Sequence, residues 1–225
     1  MSLTQSSRIV VLHLTKYGDS SLVVHTIDSV SGRCSYLLRG AGRSSRVSVG
    51  SFHNLAVLDI VSVSNPRSSL AVIKEYEPCL QLDSLRSDVD KNSIALFISE
   101  LLYRTVVEQN CDERLFNWLC QAIARLDAIG EDTANFHLWF LAGFCTVMGF
   151  GPTSEGLFDG CDLLRADNLA LLRQLTAAGF TDAMAIPLTG SRRRDFCEQI
   201  TRYISYHLGM NLHLRSLDVL HDLYR

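Results

Sequence analysis

The sequence predicts an α+β protein, in which a five-stranded sheet comes first and an all-helical bundle follows. Short runs rich in β-branched residues fill the first eighty residues, and an apolar period of 3.6 residues takes over after Pro78. Because no helical segment separates the runs, they indicate an antiparallel sheet curled into a small barrel or sandwich.

Glycine, serine, asparagine and proline separate the predicted strands, as turns require. The strands span residues 8–14, 21–28, 33–39, 52–63 and 70–76. The predicted helices span residues 90–109, 112–129, 134–148, 163–178, 192–208 and 214–224. The third helix is apolar nearly all round, so we expect it to be central and buried. The change of pattern predicts two domains, 1–80 and 81–225.

Composition and local pattern limit the class of protein. Hydrophobic residues make up 47% of the 225 residues and charged residues 20%, which argues against disorder for most of the chain. The longest nearly apolar run, residues 136–150, is too short to cross a bilayer. Residues 1–7 are polar and do not resemble a signal peptide. We therefore expect a cytoplasmic protein that does not contact a membrane.

The seven cysteines are scattered, and no C-x-x-C pair occurs. In a cytoplasmic protein such cysteines are most simply reduced thiols that act as small apolar residues. We therefore expect neither a metal nor another cofactor.

Charge is distributed unevenly along the chain. Residues 1–80 hold eight Lys and Arg against five Asp and Glu, a net charge of +3, whereas the remainder holds 13 against 19, a net charge of −6. A basic first third and an acidic remainder suggest that the two parts have different partners.

The stretch from Arg33 to Arg46 combines a predicted strand with a glycine- and serine-rich loop. Its four arginines, without an acidic residue among them, suit the phosphates of a polyanion. They are Arg33, Arg39, Arg43 and Arg46. The alternative interpretation is a solvated hairpin.

A second basic cluster, Arg192, Arg193 and Arg194, lies at the start of a predicted helix. Cations there oppose the helix dipole, so local helix stability does not explain them. They are candidate contacts with DNA or with an acidic peptide, and a solvated helix start is the alternative.

Five motifs in sequence order carry a resemblance to a known family. They are KYGDSSLVV (16–24), GRCSYLLRGAGR (32–43), FHLWFLAGFCTVMGFGP (136–152), YHLG (206–209) and LRSLDVL (214–220). Together they resemble the RecO family of bacterial recombination mediators over nearly the whole chain.

The resemblance implies an N-terminal OB-fold, a helical C-terminal domain and a non-enzymatic role in DNA repair. It implies binding of single- and double-stranded DNA, annealing of complementary strands, and loading of RecA with RecR onto DNA coated by single-stranded-DNA-binding protein. That coating protein's acidic, apolar C-terminal tail is implied as a second protein partner. The resemblance also implies that the protein is associated with the bacterial nucleoid.

One segment departs from the family pattern. Many relatives follow the G-x-x-P block with four zinc-binding cysteines, whereas Cys161 stands alone after Pro152. A single thiolate cannot hold tetrahedral zinc without other ligands. We expect this branch to lack the metal and to close the segment by apolar packing of Leu157 and Phe158.

OB-folds lay single strands along a basic groove and stack bases on aromatic side chains. The candidate phosphate partners are Lys16, Arg33, Arg39, Arg43 and Arg46, and the candidate stacking residues are Tyr17, Tyr36 and Phe52. Tyr36 lies in an apolar run and is more typical of a core residue, and Phe52 is ambiguous. The strand histidines are interpreted as hydrogen-bonded rather than as ligands, namely His13, His25 and His53.

Catalysis is not expected, because neither a P-loop nor a complete dinucleotide fingerprint is present and no cysteine lies in a recognisable catalytic turn. Two other classes stay open as alternatives. One is a stand-alone OB-fold module that binds DNA or RNA, and the other is a scaffold that binds only proteins.

Overall fold

The first strands of the chain close into a barrel. The structure, a computed structural model, describes residues 3–40, 48–66, 68–107, 112–152 and 159–223. Its strands are β1 (Leu3–Tyr17), β2 (Ser21–Asp28), β3 (Gly32–Arg39), β4 (Val57–Ser64) and β5 (Ala71–Pro78). They follow one another around the barrel in the order β1-β2-β3-β5-β4, with β4 paired back to β1.

β1 is long enough to close the barrel. Its first part, from Leu3 to Val10, pairs with β4, and its second part, from Ile9 to Tyr17, pairs with β2. An irregularity between Val11 and His13 bends the strand where it changes partner. The β3–β5 pairing is parallel and the other pairings are antiparallel. This topology is that of an OB-fold.

Alternation along the strands sends one set of side chains into the barrel. The buried set includes Ile9, Val11, Val24, Tyr36, Leu38, Leu58, Ile60 and Ile73. The ring of Phe52, carried by a short 3-10 helix (Val49–Phe52), also enters this core and packs against Tyr76, with 4.7 Å between ring centroids. The outward set therefore includes residues 13, 15 and 17 on β1, residues 21, 23 and 25 on β2, and residues 33, 35, 37 and 39 on β3.

The fourth strand begins later than predicted. Residues 52–56 belong to the 3-10 helix and a turn in which Leu55 has a φ of +62°. Backbone hydrogen bonds from Leu55 N to Val11 O (2.8 Å) and from Val11 N to Ala56 O (2.9 Å) fasten this turn to β1. A non-glycine residue at positive φ cannot continue a strand.

Helices follow the barrel in the described part of the chain. They are α1 (Asp83–Ser87), α2 (Val89–Thr105), α3 (Glu113–Ala128), α4 (Phe136–Val147), α5 (Ala166–Ala177), α6 (Phe180–Met184), α7 (Gly190–His207) and α8 (Ser216–Leu223). The predicted fold class is confirmed, and α1 and α6 are additional short helices. None of the described helices has both the length and the apolar character that crossing a membrane requires.

The third predicted helix, α4, is buried as expected. Its aromatic and aliphatic side chains are enclosed, and it packs against α5, α6 and α7. An amphipathic stripe is typical of a helix at a surface, whereas a helix that is apolar all round is stable only inside a core.

Contacts divide the chain into two compact units. One contains Met1–Asp88 and Ile98–Asp127, and the other contains Val89–Phe97 and Ala128–Arg225. The first unit thus includes α3 and the second half of α2 as well as the barrel. The boundary after residue 80 stays a prediction about separately folding domains.

Candidate nucleic-acid interface

The outward side of β1, β2 and β3, called here the β1–β2–β3 face, carries several of the candidate residues. Strand register places Tyr17 opposite Ser21, and Ser21 opposite Arg39, so Tyr17 and Arg39 lie in one row across three strands. Neighbouring strands are about 4.8 Å apart, so the two Cα atoms are separated by roughly 10 Å. Both side chains are exposed, Tyr17 at 59%.

The predicted lysine lies beside this row. Lys16 is exposed at the end of β1 and pairs in register with Leu22, on the side of the strand that faces the barrel interior. At the end of a strand such a side chain reaches solvent over the rim of the barrel. Lys16 and Arg39 are thus two exposed cations near an exposed aromatic ring.

Arg33 is in a different environment from Arg39. Its guanidinium lies 4.4 Å from the ring centroid of Tyr103 on α2, a cation–π arrangement. It also donates hydrogen bonds to the carbonyls of Thr26 and Cys34, both at 3.3 Å. Burial lowers the pKa of Arg33, against smaller opposing effects of Tyr103 and Cys34. Arg33 therefore has intramolecular contacts that Arg39 lacks among the described residues.

Two of the three candidate stacking residues are core residues. Tyr36 is 5% exposed and Phe52 is fully buried, so neither ring can stack on a base. The hydroxyl of Tyr36 donates to Asp28 at 2.6 Å, and burial followed by this bond raises the pKa of the phenol. The candidates Arg43 and Arg46 lie outside the described residues.

The strand histidines reveal a cluster that sequence reasoning missed. His13 and His25 face each other in register, and their rings stack with centroids 5.8 Å apart and planes inclined by 15°. Tyr103 meets both rings edge-on, at 5.6 and 5.3 Å. The alternation of side chains along β1 and β2 could have indicated that both histidines share one face. No local sequence pattern indicates their contact with α2.

His25 is hydrogen-bonded through both ring nitrogens. Nε2 lies 3.0 Å from the hydroxyl of Thr15, and Nδ1 lies 2.8 Å from the hydroxyl of Ser35. Burial lowers the pKa of His25, and the charges of Arg33 and His13 lower it further. These effects disfavour the charged form of the imidazole.

The second basic cluster lies at the start of α7. Arg192 donates to the side-chain oxygen of Asn168 and to Asp195, the latter at 3.2 Å. Asp195 also accepts from Arg165. Burial acts to raise the pKa of Asp195, but hydrogen bonds from Arg165 and Asn168 and the charges of Arg165 and Arg192 bring it below its ordinary range. Ion pairs from Arg165 to Asp195 and from Arg192 to Asp167 therefore join the N-terminal ends of α5 and α7.

The other two arginines of this cluster differ in exposure. Arg193 Nε donates to Asn135 Oδ1 at 2.9 Å, and the amide nitrogen of Asn135 in turn donates to the carbonyls of Ala183, Met184 and Ile186. Arg194 is exposed. Of the three predicted contact residues, Arg194 is the one that presents most surface to a partner.

The structure describes part of the segment where many relatives bind zinc. Leu157 and Phe158 lie outside the described residues, and Cys161 is buried in a short 3-10 helix (Cys161–Leu163). Within the described ranges, no three His, Cys, Asp or Glu side chains are grouped so that they could hold a metal ion.

The fold and the candidate residues define a class of protein. It is an OB-fold barrel that carries an exposed cation and an exposed aromatic ring in one row and is followed by a helical region. A family model described as "Recombination protein O C terminal" matches residues 86–155. The DNA repair protein RecO of Bacteroides fragilis is 31% identical over 235 residues, covering 96% of this chain and 97% of that protein.

Other relatives cover as much of the chain. The DNA repair protein RecO of Porphyromonas gingivalis is 29% identical over 246 residues, and that of Flavobacterium psychrophilum is 28% identical over 234 residues. Each alignment covers 97% of this chain and 98% of the relative. The chain belongs to the RecO family of DNA repair proteins.

Proposed function

We propose that this chain binds single- and double-stranded DNA through the β1–β2–β3 face of its barrel and acts as a non-enzymatic recombination mediator. In this role it anneals complementary strands and, with RecR, helps to load RecA onto DNA coated by single-stranded-DNA-binding protein. A mediator of this kind acts in the cytoplasm at the nucleoid.

The observation that carries this proposal is the row of Tyr17 and Arg39. The ring offers a stacking surface for a base and the guanidinium offers a fork for a phosphate, with Lys16 beside them. Family membership supports a role in DNA repair. A pure protein scaffold would not need an exposed aromatic ring and an exposed cation in one row on an OB-fold.

Fluorescence anisotropy tests the proposal with a labelled single strand of mixed sequence, titrated at several salt concentrations. Each phosphate neutralised contributes about −0.7 to the log–log salt slope for a single strand. We expect Arg39→Ala to make the slope shallower by about that amount, and Tyr17→Ala to weaken binding by about 1–3 kcal/mol without changing the slope.

Arg8→Ala is the matched control, because it removes the same charge from the same barrel. Arg8 forms an exposed ion pair with Asp59 of β4 at 2.8 Å and lies on the part of β1 that pairs with β4. We expect Arg8→Ala to bind as wild type does. Equal loss in Arg8→Ala and Arg39→Ala would mean that total charge, and not this face, determines binding.

Annealing separates a mediator from a stand-alone DNA- or RNA-binding module. Complementary strands coated with single-stranded-DNA-binding protein should anneal faster when the chain is added, and deleting the coating protein's C-terminal tail should abolish the gain. Arg194→Glu tests the second cluster, since its exposed side chain is the best placed of the three to pair with the tail's carboxylates. A variant that captures the tail as wild type does would remove α7 from the proposal.

A further inference from the structure

The cluster of His13, His25, Arg33 and Tyr103 lies outside the row of Tyr17 and Arg39, and only Arg33 among its members is a predicted phosphate partner. Its two histidines lie on the same β1–β2–β3 face, in a row four residues along β1 and β2 from the row of Tyr17 and Arg39, and Arg33 lies six residues along β3 from Arg39. At about 3.3 Å per residue the two rows are roughly 13 Å apart. A strand that occupies the first row therefore passes close to the second, because one OB-fold engages roughly 4–16 nucleotides.

We propose that His13 and His25 form, together with Arg33, a second phosphate subsite for the nucleic-acid backbone, and that this subsite is filled when the imidazoles take up protons. The inference rests on the proposed function, since it adds a pH-dependent contact to the same DNA-binding face.

The charges that face the imidazoles favour an anion. His25 is flanked by His13 from β1, by Arg33 from β3 and by the phenol of Tyr103 from α2. One turn away on α2, Glu100 pairs with Arg104 at 2.9 Å. When both histidines are protonated, three cations, His13, His25 and Arg33, lie around the neutral phenol of Tyr103. A phosphodiester would supply the negative charge that balances them.

The hydrogen bonds of His25 allow both protonation states. A hydroxyl can donate to a neutral imidazole nitrogen or accept from a protonated one. The hydroxyls of Thr15 and Ser35 can therefore satisfy His25 with or without the extra proton. A carboxylate partner would instead keep the imidazole charged at neutral pH.

Access to the subsite is open on one side. His13 is exposed and Tyr103 is about a third exposed, so a phosphate can approach the imidazole of His13 from solvent, with His25 and Arg33 beside it. Stacked rings with cationic character and the guanidinium of Arg33 then lie on the same surface. An anion is the ligand that this arrangement accommodates when it is protonated.

The test is anisotropy of the same labelled strand at pH 8.0 and pH 6.0, with ionic strength held constant. We expect wild type to gain about tenfold in affinity at pH 6.0, and its salt slope to steepen by about 0.7, from the one phosphate that the subsite neutralises. The double variant His13→Gln with His25→Gln should lose this gain, so that the difference from wild type widens as the pH falls.

Two further variants sharpen the comparison. His213→Gln removes an exposed histidine from the helical part of the chain and should keep the wild-type pH dependence. His13→Lys fixes a positive charge on the face and should bind more tightly than wild type at pH 8.0 with a weaker pH dependence. Thermal unfolding at each pH shows whether every variant is folded.

A direct readout is the titration of the imidazole protons by NMR, with and without the oligonucleotide. Because linkage is reciprocal, DNA that prefers the protonated cluster must raise the titration midpoints of His13 and His25. Unchanged midpoints, or a double variant with the wild-type pH dependence, would overturn the subsite while leaving the Arg39 result intact. Absence of binding by wild type at both pH values would instead overturn the proposed function, and the subsite with it.

Discussion

Asp28 shows how a single buried side chain fixes the hairpin that presents Arg33. One carboxylate oxygen accepts from the backbone nitrogens of Val30 (2.7 Å) and Ser31 (2.8 Å), and the other accepts from the hydroxyls of Ser7 and Tyr36. Asp28 is fully buried, so these bonds replace the water that the carboxylate loses. The turn, the first strand and the barrel core thus meet at one side chain.

We expect Asp28→Asn to lower the free energy of unfolding by about 2 kcal/mol, since hydrogen bonds to a charged group are the stronger ones and an amide offers one acceptor oxygen instead of two. Asp28→Ala should cost more, because it leaves buried donors without an acceptor. Urea denaturation measures both values. Asp59→Asn is the control: its exposed pair with Arg8 should contribute about 1 kcal/mol or less. Equal effects at the two positions would contradict this account.

At the residue scale, the sequence predicted those properties of a residue, such as its burial, that depend only on the strand to which it belongs. Tyr36 lies in an apolar run, which predicted a core residue, and it is buried. Of the strand histidines, His25 is hydrogen-bonded as predicted, and its ring stacks on that of His13. The contact of both histidines with Tyr103 depends on helix packing, which local patterns do not encode. The partners of Arg192 and Arg193 depend on it for the same reason.

The end of α4 explains the glycines of the G-F-G-P motif. Gly149 has a φ of +86°, and the nitrogen of Phe150 donates to Cys145 O at 3.0 Å, the pattern by which a left-handed residue ends a helix. Gly151 is required for another reason. A Cβ there would lie 2.6 Å from Thr146 Oγ1 and 2.7 Å from Thr146 Cα, so backbone would have to move.

We expect Gly149→Ala to lower the free energy of unfolding by about 1–2 kcal/mol, which is the penalty for a side chain in the left-handed region. Nothing lies within 4 Å of the added Cβ, so no steric clash adds to this penalty. Gly151→Ala should cost distinctly more, since its contact is with backbone. Gly130→Ala meets nothing within 4 Å and has no positive φ, so it should be nearly neutral. Thermal unfolding ranks the three variants, and a Gly151→Ala variant milder than Gly149→Ala would refute the steric argument.

At the element scale, the long periodic helices were predicted within a few residues, whereas α1 and α6 were not. Each of these spans five residues, less than two turns, so no apolar period can develop. The start of β4 was also missed, because the apolar residues Phe52 and Leu55 precede the strand in sequence but belong to a 3-10 helix and a turn in the structure. Backbone conformation at Leu55, and not hydrophobicity, determines where that strand begins.

For the whole molecule, buried histidines should make stability depend on pH. His137 on α4 is enclosed, and burial, with Arg193 and His221 nearby, lowers its pKa to about 3. Burial also lowers the pKa values of His25 and His53. In the unfolded chain these imidazoles bind protons below about pH 6.5, whereas in the folded chain they stay neutral to lower pH. The unfolded state therefore binds more protons, and acidification favours it.

We expect His137 alone to lower the free energy of unfolding by about 2 kcal/mol between pH 7.5 and pH 5.0. At pH 5.0 the pH lies about 1.5 units below the pKa of a histidine in the unfolded chain, and one unit corresponds to about 1.4 kcal/mol. Urea denaturation of wild type and His137→Gln at pH 7.5, 6.0 and 5.0 measures it. The variant starts from a lower stability, since glutamine fills the cavity less well, but its stability should fall less steeply with pH. The exposed His213→Gln should follow the wild-type slope. Parallel curves for wild type and His137→Gln would show that this imidazole is protonated in the folded chain, and the burial of α4 would then have to be reconsidered.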